Sequence, residues 1–455
     1  MTVGQSGNGS SLNADVQVNV ASYQKGLNVQ LVAVMESQKY ATEFFNEVVP
    51  LAPYGQGMLE QTISGNSSWG NTFTVEVPRH IDGVIESWLK VVTPALTKNS
   101  TDFDDGAFEV YYANHFAAAV LSTGTYSMGG ILVDSFDSYS VHGLSELRKP
   151  SRLETNESMM KSTDVATLVR WSKVARDVWV RMPTAHSESA AHMIPAGAIH
   201  YSKPEYRFTL STQAKCICAS PAVALTTKST FVKAAGTSTN PLYVANTLSC
   251  TMWFMVIYLH DVERKDILAS DIVFIFPFTS SLVSTVTVTT VAASATNTQT
   301  IDLSSIHPLA MLYFFYQADT HDPDTSGSDN DRFNFSGGGY ANAPEDAFEW
   351  AQLTVNGSPI SAEHGPLYWR DLQPGMFAER KPDGFLYMHS NSRRPFDPTQ
   401  PSGGLNGAFV ENQKLKVKWT GGTLGLGAGK LRAYGLAWSS ATVSNNRFTL
   451  TYKAA

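Results

Sequence analysis

The chain is short of cysteine, of charge and of long apolar runs, and each shortage excludes a class of protein. Three cysteines in 455 residues, Cys216, Cys218 and Cys250, are too few and too odd in number for a disulfide framework, so a reducing compartment is expected. Cys216-x-Cys218 has a spacing that invites a metal, yet no His or further Cys stands near it in sequence. A zinc site needs more ligands than two, and buried free thiols are the expectation. The longest apolar stretch, residues 250–259, is about half the roughly 20 residues that a membrane-spanning helix requires. It reads as a buried strand, and no transmembrane segment is expected. The first residues carry neither a basic flank nor an apolar core, so no signal peptide is expected either.

Charged residues make up 16% of the chain and the net charge is −7. Binding to a phosphate backbone draws on clustered Lys and Arg. Residues 1–27 hold one acid, Asp15, and one base, Lys25, so no direct nucleic-acid contact is expected. Catalytic signatures are also missing: there is no G-x-S-x-G elbow, and none of the 11 histidines forms an H-E-x-x-H pair. His186, His192 and His200 lie in a polar connection and are expected to serve local hydrogen bonds. Asp104 and Asp105 are adjacent, which is not the geometry of an acid/base pair. The run Gly425 to Lys430 misses the phosphate-loop spacing at Leu424 and places Leu431 where a hydroxyl should bind magnesium, so it reads as a hairpin loop. No catalytic, cofactor-binding or metal-ligating residue is assigned on these grounds, and neither enzyme activity nor a cofactor is expected.

What is abundant is turn residues and alternation. With 33 Gly, 21 Pro and 43% hydrophobic residues, the composition suits strands and turns rather than helices. Phe73, Val75 and Val77, then Tyr206, Phe208 and Leu210, then Phe448, Leu450 and Tyr452 alternate with polar residues, as half-buried strands do. Residues 252–259 and 311–315 are continuously apolar and fit strands covered on both faces. Many short strands with regular turns predict an all-β sandwich or barrel. Helical spacing of Val165, Leu168, Val169 and Val174 behind Thr163-Asp164 predicts one or two helices within 158–179, and a shorter helical turn is expected at 40–48. At this length two domains are the natural expectation. A charged link at 262–266 divides the chain into a polar arm over 1–27 and two units, 28–266 and 267–455, each long enough for an eight-stranded jelly roll with generous loops.

Asp319 to Asp331 holds five aspartates with Asp322, Asp324, Ser326, Gly327 and Asn330 near calcium-loop spacing. Phe333 stands where the bidentate acid belongs, so a solvated loop is the better reading. The whole region 317–348 is expected to be a long exposed loop facing outward. Six Asn-x-Ser/Thr triplets occur, at Asn8, Asn66, Asn99, Asn156, Asn334 and Asn356, of which Asn99 and Asn334 are the loop positions where a glycan would be sought.

One stretch is specific. Between Leu386 and Trp419 a tyrosine-containing strand runs into Gln400-Pro401-Ser402-Gly403 and Leu405-Asn406. Proline's fixed φ and the freedom of Gly403 and Gly404 shape 395–404 into a corner. A strand follows in which Leu415, Val417 and Trp419 share one face and Lys414, Lys416 and Lys418 the other. This order resembles the C-terminal half of the major capsid proteins of nucleocytoplasmic large DNA viruses, closest to the iridovirus-like branch. Three further blocks follow the same family's order. They are residues 42–45 with Pro50 and Gly55; Phe73 to Arg79 with Asp82 and 88–91, similar to paired strands joined by a valine-proline-arginine turn; and 262–264 with 301–303 and 312–317. The chain departs after Asn406, where the family usually continues phenylalanine-serine-arginine and this sequence has Gly407-Ala408-Phe409-Val410.

The resemblance implies a double jelly roll and a structural role in the virion. It implies homotrimeric, pseudo-hexagonal capsomers tiling the outer icosahedral shell of a large double-stranded DNA virus, assembled in the host cytoplasm. Implied partners are further copies of the chain together with minor capsid, penton and internal-membrane-associated viral proteins. The alternative is a carbohydrate-binding or carbohydrate-cleaving β-sandwich, which would gather aromatics and a carboxylate pair in one cleft.

Overall fold

The computed structural model describes residues 55–96, 109–220, 232–234, 243–245 and 248–450, less 152, 189–192, 200, 262–263, 266, 268–270, 304, 326–327, 338–344, 398–401 and 423–424. The expected arm over 1–27, the helical turn at 40–48, Asp104-Asp105, His192, His200 and Asn99 lie outside the described residues. Of the described residues, 46% are strand and 16% helix.

Strands β1 (Gly55–Gln61), β13 (Ser249–Tyr258), β4 (Gly83–Thr93) and β8 (Arg176–Arg181) form one sheet in that order. Facing it are β2 (Ser64–Gly65), β3 (Thr72–Glu76), β9 (Pro204–Leu210), β6 (Leu121–Met128) and β7 (Ile131–Asp137). Two small pairs accompany them: β5 (Glu109–Tyr112) with β10 (Ile217–Ser220), and β11 (Val232–Ala234) with β12 (Tyr243–Ala245). A second sandwich follows. Its first sheet runs β14 (Ile272–Val288), β22 (Gly429–Ser444), β16 (Pro308–Ala318) and β19 (Tyr387–Ser390), with β20 (Leu405–Asn406) on β16 and β23 (Arg447–Leu450) on β22. The facing sheet runs β15 (Thr296–Leu303), β21 (Gln413–Thr420), β17 (Phe348–Val355) and β18 (Ser358–Pro359). These are two jelly rolls in tandem. The strands around the valine-proline-arginine turn, expected to pair, do not: β3 bonds to β2 and β9, while β4 bonds to β13 and β8. The turn carries the chain from one sheet to the other, which is how both faces of the sandwich are filled by successive strands.

Period-two patterning decides which faces meet. In β21 the buried row Leu415, Val417 and Trp419 alternates with the half-buried lysines. Ile301 of β15 and Leu353 of β17 lie directly opposite Leu415, so one apolar row crosses three strands. On the outer face Lys414 pairs with Asp302 (3.3 Å), Lys418 pairs with Glu349 (2.7 Å), and Lys416 lies over the Trp350 ring (5.1 Å). Strand β16 is buried on both faces, as its continuous apolar run predicts: Leu312, Phe314 and Tyr316 enter the sandwich core while Met311, Tyr313 and Phe315 pack on the other side.

The helical expectation over 158–179 holds only in its middle. Asp164 caps the helix Val165–Ser172, accepting from the N–H groups of Ala166 (3.2 Å) and Thr167 (3.1 Å). Val165 and Val174, counted on its apolar face, are exposed. From Arg176 the alternation places Val178 and Val180 on one buried face, and pairing with β4 overrides helical spacing.

The shaped corner is held by side chains. Ser402 Oγ accepts from Arg394 N–H (2.7 Å) and meets Ser392 Oγ (2.8 Å), and Gly403 adopts φ 129°. The departure after Asn406 has a steric cause. A Cβ on Gly407 would stand 1.8 Å from the Ser305 carbonyl oxygen, so only glycine fits there. Gly407→Ala is therefore expected to destabilise the chain by about 1–3 kcal/mol, read as a lowered urea midpoint. An unchanged midpoint would mean that the close approach relaxes freely.

Candidate functional site

The seam between the two sandwiches is where the fold concentrates its unusual chemistry. Helix Ser138–Leu147 begins it. Asp137 caps this helix, accepting from Ser140 N–H (2.8 Å) while its own N–H donates to Ser140 Oγ (2.8 Å). Its second carboxylate oxygen accepts from Tyr434 Oη (2.7 Å) on β22, so the cap also ties the helix to the second sandwich. Tyr139, Leu144 and Leu147 then pack with Met311, Tyr313, Phe315, Tyr434 and Leu436 on the outer face of the β16–β22 sheet. Gly143 permits the approach, since a Cβ there would stand 2.5 Å from the Tyr313 ring. A second apolar bridge is made by Phe276, Phe278, Ala441, Val443 and Phe448, which belong to the same core cluster as the interior of the first sandwich.

The segment 319–337 corrects an expectation. A solvated, outward-facing loop is expected over 317–348, but most of the described residues of 319–337 are buried, and among them only Asp324 is exposed. Two of the acids meet cations about a hundred residues away in sequence, Asp322 with Lys430 and Asp324 with Lys215 (2.5 Å), while Asp329 has a local partner in His321, whose Nδ1 lies 2.9 Å from Oδ2. Asn330, at φ 65°, donates to the carbonyls of Ala214 (2.8 Å) and Ile217 (2.7 Å), and Arg332 donates to that of Ala119 (3.0 Å). Phe335 stacks on Phe315 at 4.0 Å between centroids. Asp324, Asn330 and Arg332 thus lace the segment onto the first sandwich, while Asp322 is held within the second by Lys430 of β22. Asn334 is half-buried, and its Nδ2 donates to Asp331 (3.1 Å).

Two buried polar groups of the first sandwich flank the seam. Glu154, half-buried as a residue with its side chain 5% exposed, faces the buried Arg148 (3.0 Å) and Arg181 (3.7 Å) and accepts from Ser151 N–H (2.8 Å). Burial pushes its carboxyl up, but the two guanidiniums and the N–H outweigh that, so it lies below its ordinary value. In the second group, His115 and His142 bring their Nδ1 atoms to 2.6 Å, and Glu146 lies one helical turn after His142. Burial, then neighbouring positive charge, holds both imidazoles well below their usual range, so both are neutral. Glu146 meets Lys161 Nζ (2.5 Å) through one oxygen and accepts from Asp383 N–H (3.3 Å) through the other. The sequence reading missed this group. Only the four-residue step from His142 to Glu146 hinted at it, and His115 arrives from 27 residues away.

The residues weighed for chemistry fall elsewhere. Cys216, Cys218 and Cys250 are buried and free, with burial pushing Cys216 up to about 11 and Cys250 up to about 12. Such thiols stay protonated and unreactive. His186 is no surface group: its Nε2 lies 2.7 Å from Ser87 Oγ and 3.0 Å from Tyr206 Oη, inside the first sandwich. A cavity of about 20 Å³ beside it, between Tyr126, Asp134 and Phe276, has room for a water. Asp134 is its one carboxylate, not the pair that a carbohydrate-cleaving sandwich requires. Asp82 and Arg264, which come from two separate blocks of the resemblance, meet in a two-pronged ion pair (2.6 and 2.8 Å) that ties the end of the first sandwich to β4. No helix among the described residues is long and apolar enough to cross a membrane.

Comparison with known proteins agrees with this architecture. Residues 45–249 match the family model for the major capsid protein N-terminus, and residues 280–427 match that for the large eukaryotic DNA virus major capsid protein. No curated protein sequence matches the chain. Among solved structures, VP54 of PBCV-1 superposes with a TM-score of 0.69 at 17% identity, covering 90% of this chain and 100% of that one. The Faustovirus major capsid protein gives 0.66 at 10% identity, covering 96% and 98%. At such identities the likeness is one of fold, and it is a double jelly roll. With family models matching both of its halves, the chain belongs to the major capsid proteins of large eukaryotic DNA viruses.

Proposed function

We propose that this capsid chain self-assembles into homotrimeric, pseudo-hexagonal capsomers that tile an icosahedral outer shell, put together in the host cytoplasm. Its two working units are 28–266 and 267–455, with 1–27 as an arm. Its neighbours are copies of itself together with minor capsid, penton and internal-membrane-associated viral proteins. It contacts no nucleic acid directly, in keeping with the net charge of −7, and its role is structural rather than catalytic.

The observation that carries this reading is apolar surface left outside a well-filled protomer. Phe409 is 81% exposed and Ile306 62% exposed, flanking the Gly407–Ser305 contact, while Leu367, Leu372 and Met376 lie exposed along one short helical stretch. Exposed apolar side chains grouped in this way mark surfaces that partners cover. Many modest contacts acting together would hold a shell while letting misplaced subunits leave. Light scattering after gel filtration tests it. The expected mass is close to 148.5 kDa, three times 49.5 kDa, and stable on dilution. A persistent 49.5 kDa monomer would overturn self-assembly of the chain alone.

A further inference from the structure

We propose that His115, His142 and Glu146 form a divalent-metal site, best matched to Zn2+, that braces the seam helix Ser138–Leu147 against the first sandwich. One ligand atom from each of the three lies within 4.8 Å of the others, and all three residues are buried. This is the donor set of three-ligand zinc sites, two imidazoles and a carboxylate, with a fourth position left for water. Imidazole nitrogen together with carboxylate oxygen selects zinc over the oxygen-seeking magnesium and calcium.

The local fold aims these groups at one point. His142 and Glu146 are four residues apart on one helix and so project from the same face. His115 comes from the turn before the short helix Phe116–Ala119, at φ 52° and ψ 53°. A non-glycine residue costs about 1–3 kcal/mol in that region and persists where its surroundings hold it there. Phe333 from the second sandwich stacks on His142 at 4.1 Å and 11°, fixing the plane of the ring.

Two nitrogens 2.6 Å apart share a single proton when no metal is bound. A bound ion would part them, and the ring that carried Nδ1–H would hold its proton on Nε2 instead. The position already accommodates positive charge, since Lys161 Nζ lies 2.5 Å from Glu146 and 3.1 Å from Asp383. Lys161 would keep Asp383 when the ion takes Glu146. The proposal stands apart from the capsomer reading, because it concerns the single chain.

The test uses the full chain, stripped with a chelator and titrated with Zn2+ alone. About one Zn2+ per chain is expected to survive gel filtration, with a raised thermal midpoint, as any ligand of the folded state produces. His115→Asn and Glu146→Gln, each confirmed folded by circular dichroism, are expected to weaken retention by roughly 100-fold or more, at least what outer-shell changes cost a metal site. Failure of the chain to retain zinc would overturn the proposal, as would folded variants that retain it equally well. Should the variants not fold, Co2+ bound to the unaltered chain decides. Strong visible absorption of a four-coordinate ion supports the site, and the weak bands of a six-coordinate aqueous-like ion refute it.

Discussion

Phe315→Ala is expected to cost the chain about 3–5 kcal/mol, the range for a buried phenylalanine cut to alanine. The ring is fully buried on the outer face of β16, stacked on Phe335 at 4.0 Å and close to Tyr139 (5.8 Å) and Tyr434 (6.1 Å). Sheet backbone lies on one side and the capped helix on the other, so the space cannot close by a side-chain shift. Phe335 then loses its main contact, and the segment 319–337 is the first part expected to loosen. Urea denaturation would read the loss, and limited proteolysis of the folded variant should find new cleavage in that segment. A midpoint shift worth less than about 1 kcal/mol would mean that the seam repacks, contrary to the partial relaxation usual in cores.

Glu154→Ala should cost a similar amount, about 3–5 kcal/mol, for a different reason. One carboxylate faces Arg148 and Arg181, both buried, and its removal takes the nearest counter-charge from two guanidiniums held away from water. Arg181 keeps the Ser187 carbonyl and a distant contact with Glu86 (3.9 Å), which soften the loss without cancelling it. The pH dependence has a definite sign. A carboxyl whose native value lies below its ordinary 4.5 adds stability that is present above 4.5 and lost as pH falls through the lower native value. The gap between the unaltered chain and Glu154→Ala should therefore be widest near neutral pH and narrow below 4.5. A gap that stays constant into acid would sink the ion-pair explanation and leave packing as the cause.

How much of this was legible in the residues depends on the range of the forces involved. The Leu415–Val417–Trp419 row, the doubly buried β16 and the Asp164 cap were all readable, because period and capping act over a few residues. Failures came where distant partners decide. The acids of 319–331 looked solvated because Lys215 and Lys430, which neutralise them, lie about a hundred residues away along the chain. Residues 176–179 look like more helix because the pull of β4 is invisible locally. The His115–His142–Glu146 group needed two elements to meet before it existed at all. In the capsid corner the reverse held: Gly407 looked like a lapse from the family pattern, and the Ser305 carbonyl supplies its reason.

Among the described residues, apolar packing passes without a break from the interior of the first sandwich through Phe276, Phe278 and Phe448 into β14, β22 and β23. Close-packed interiors transmit strain rather than absorb it. A closed surface made of such bricks would have to bend somewhere, and the described residues show continuous packing between the two sandwiches. If copies of the chain assemble as proposed, curvature falls to the angles between neighbouring chains rather than to a bend within one.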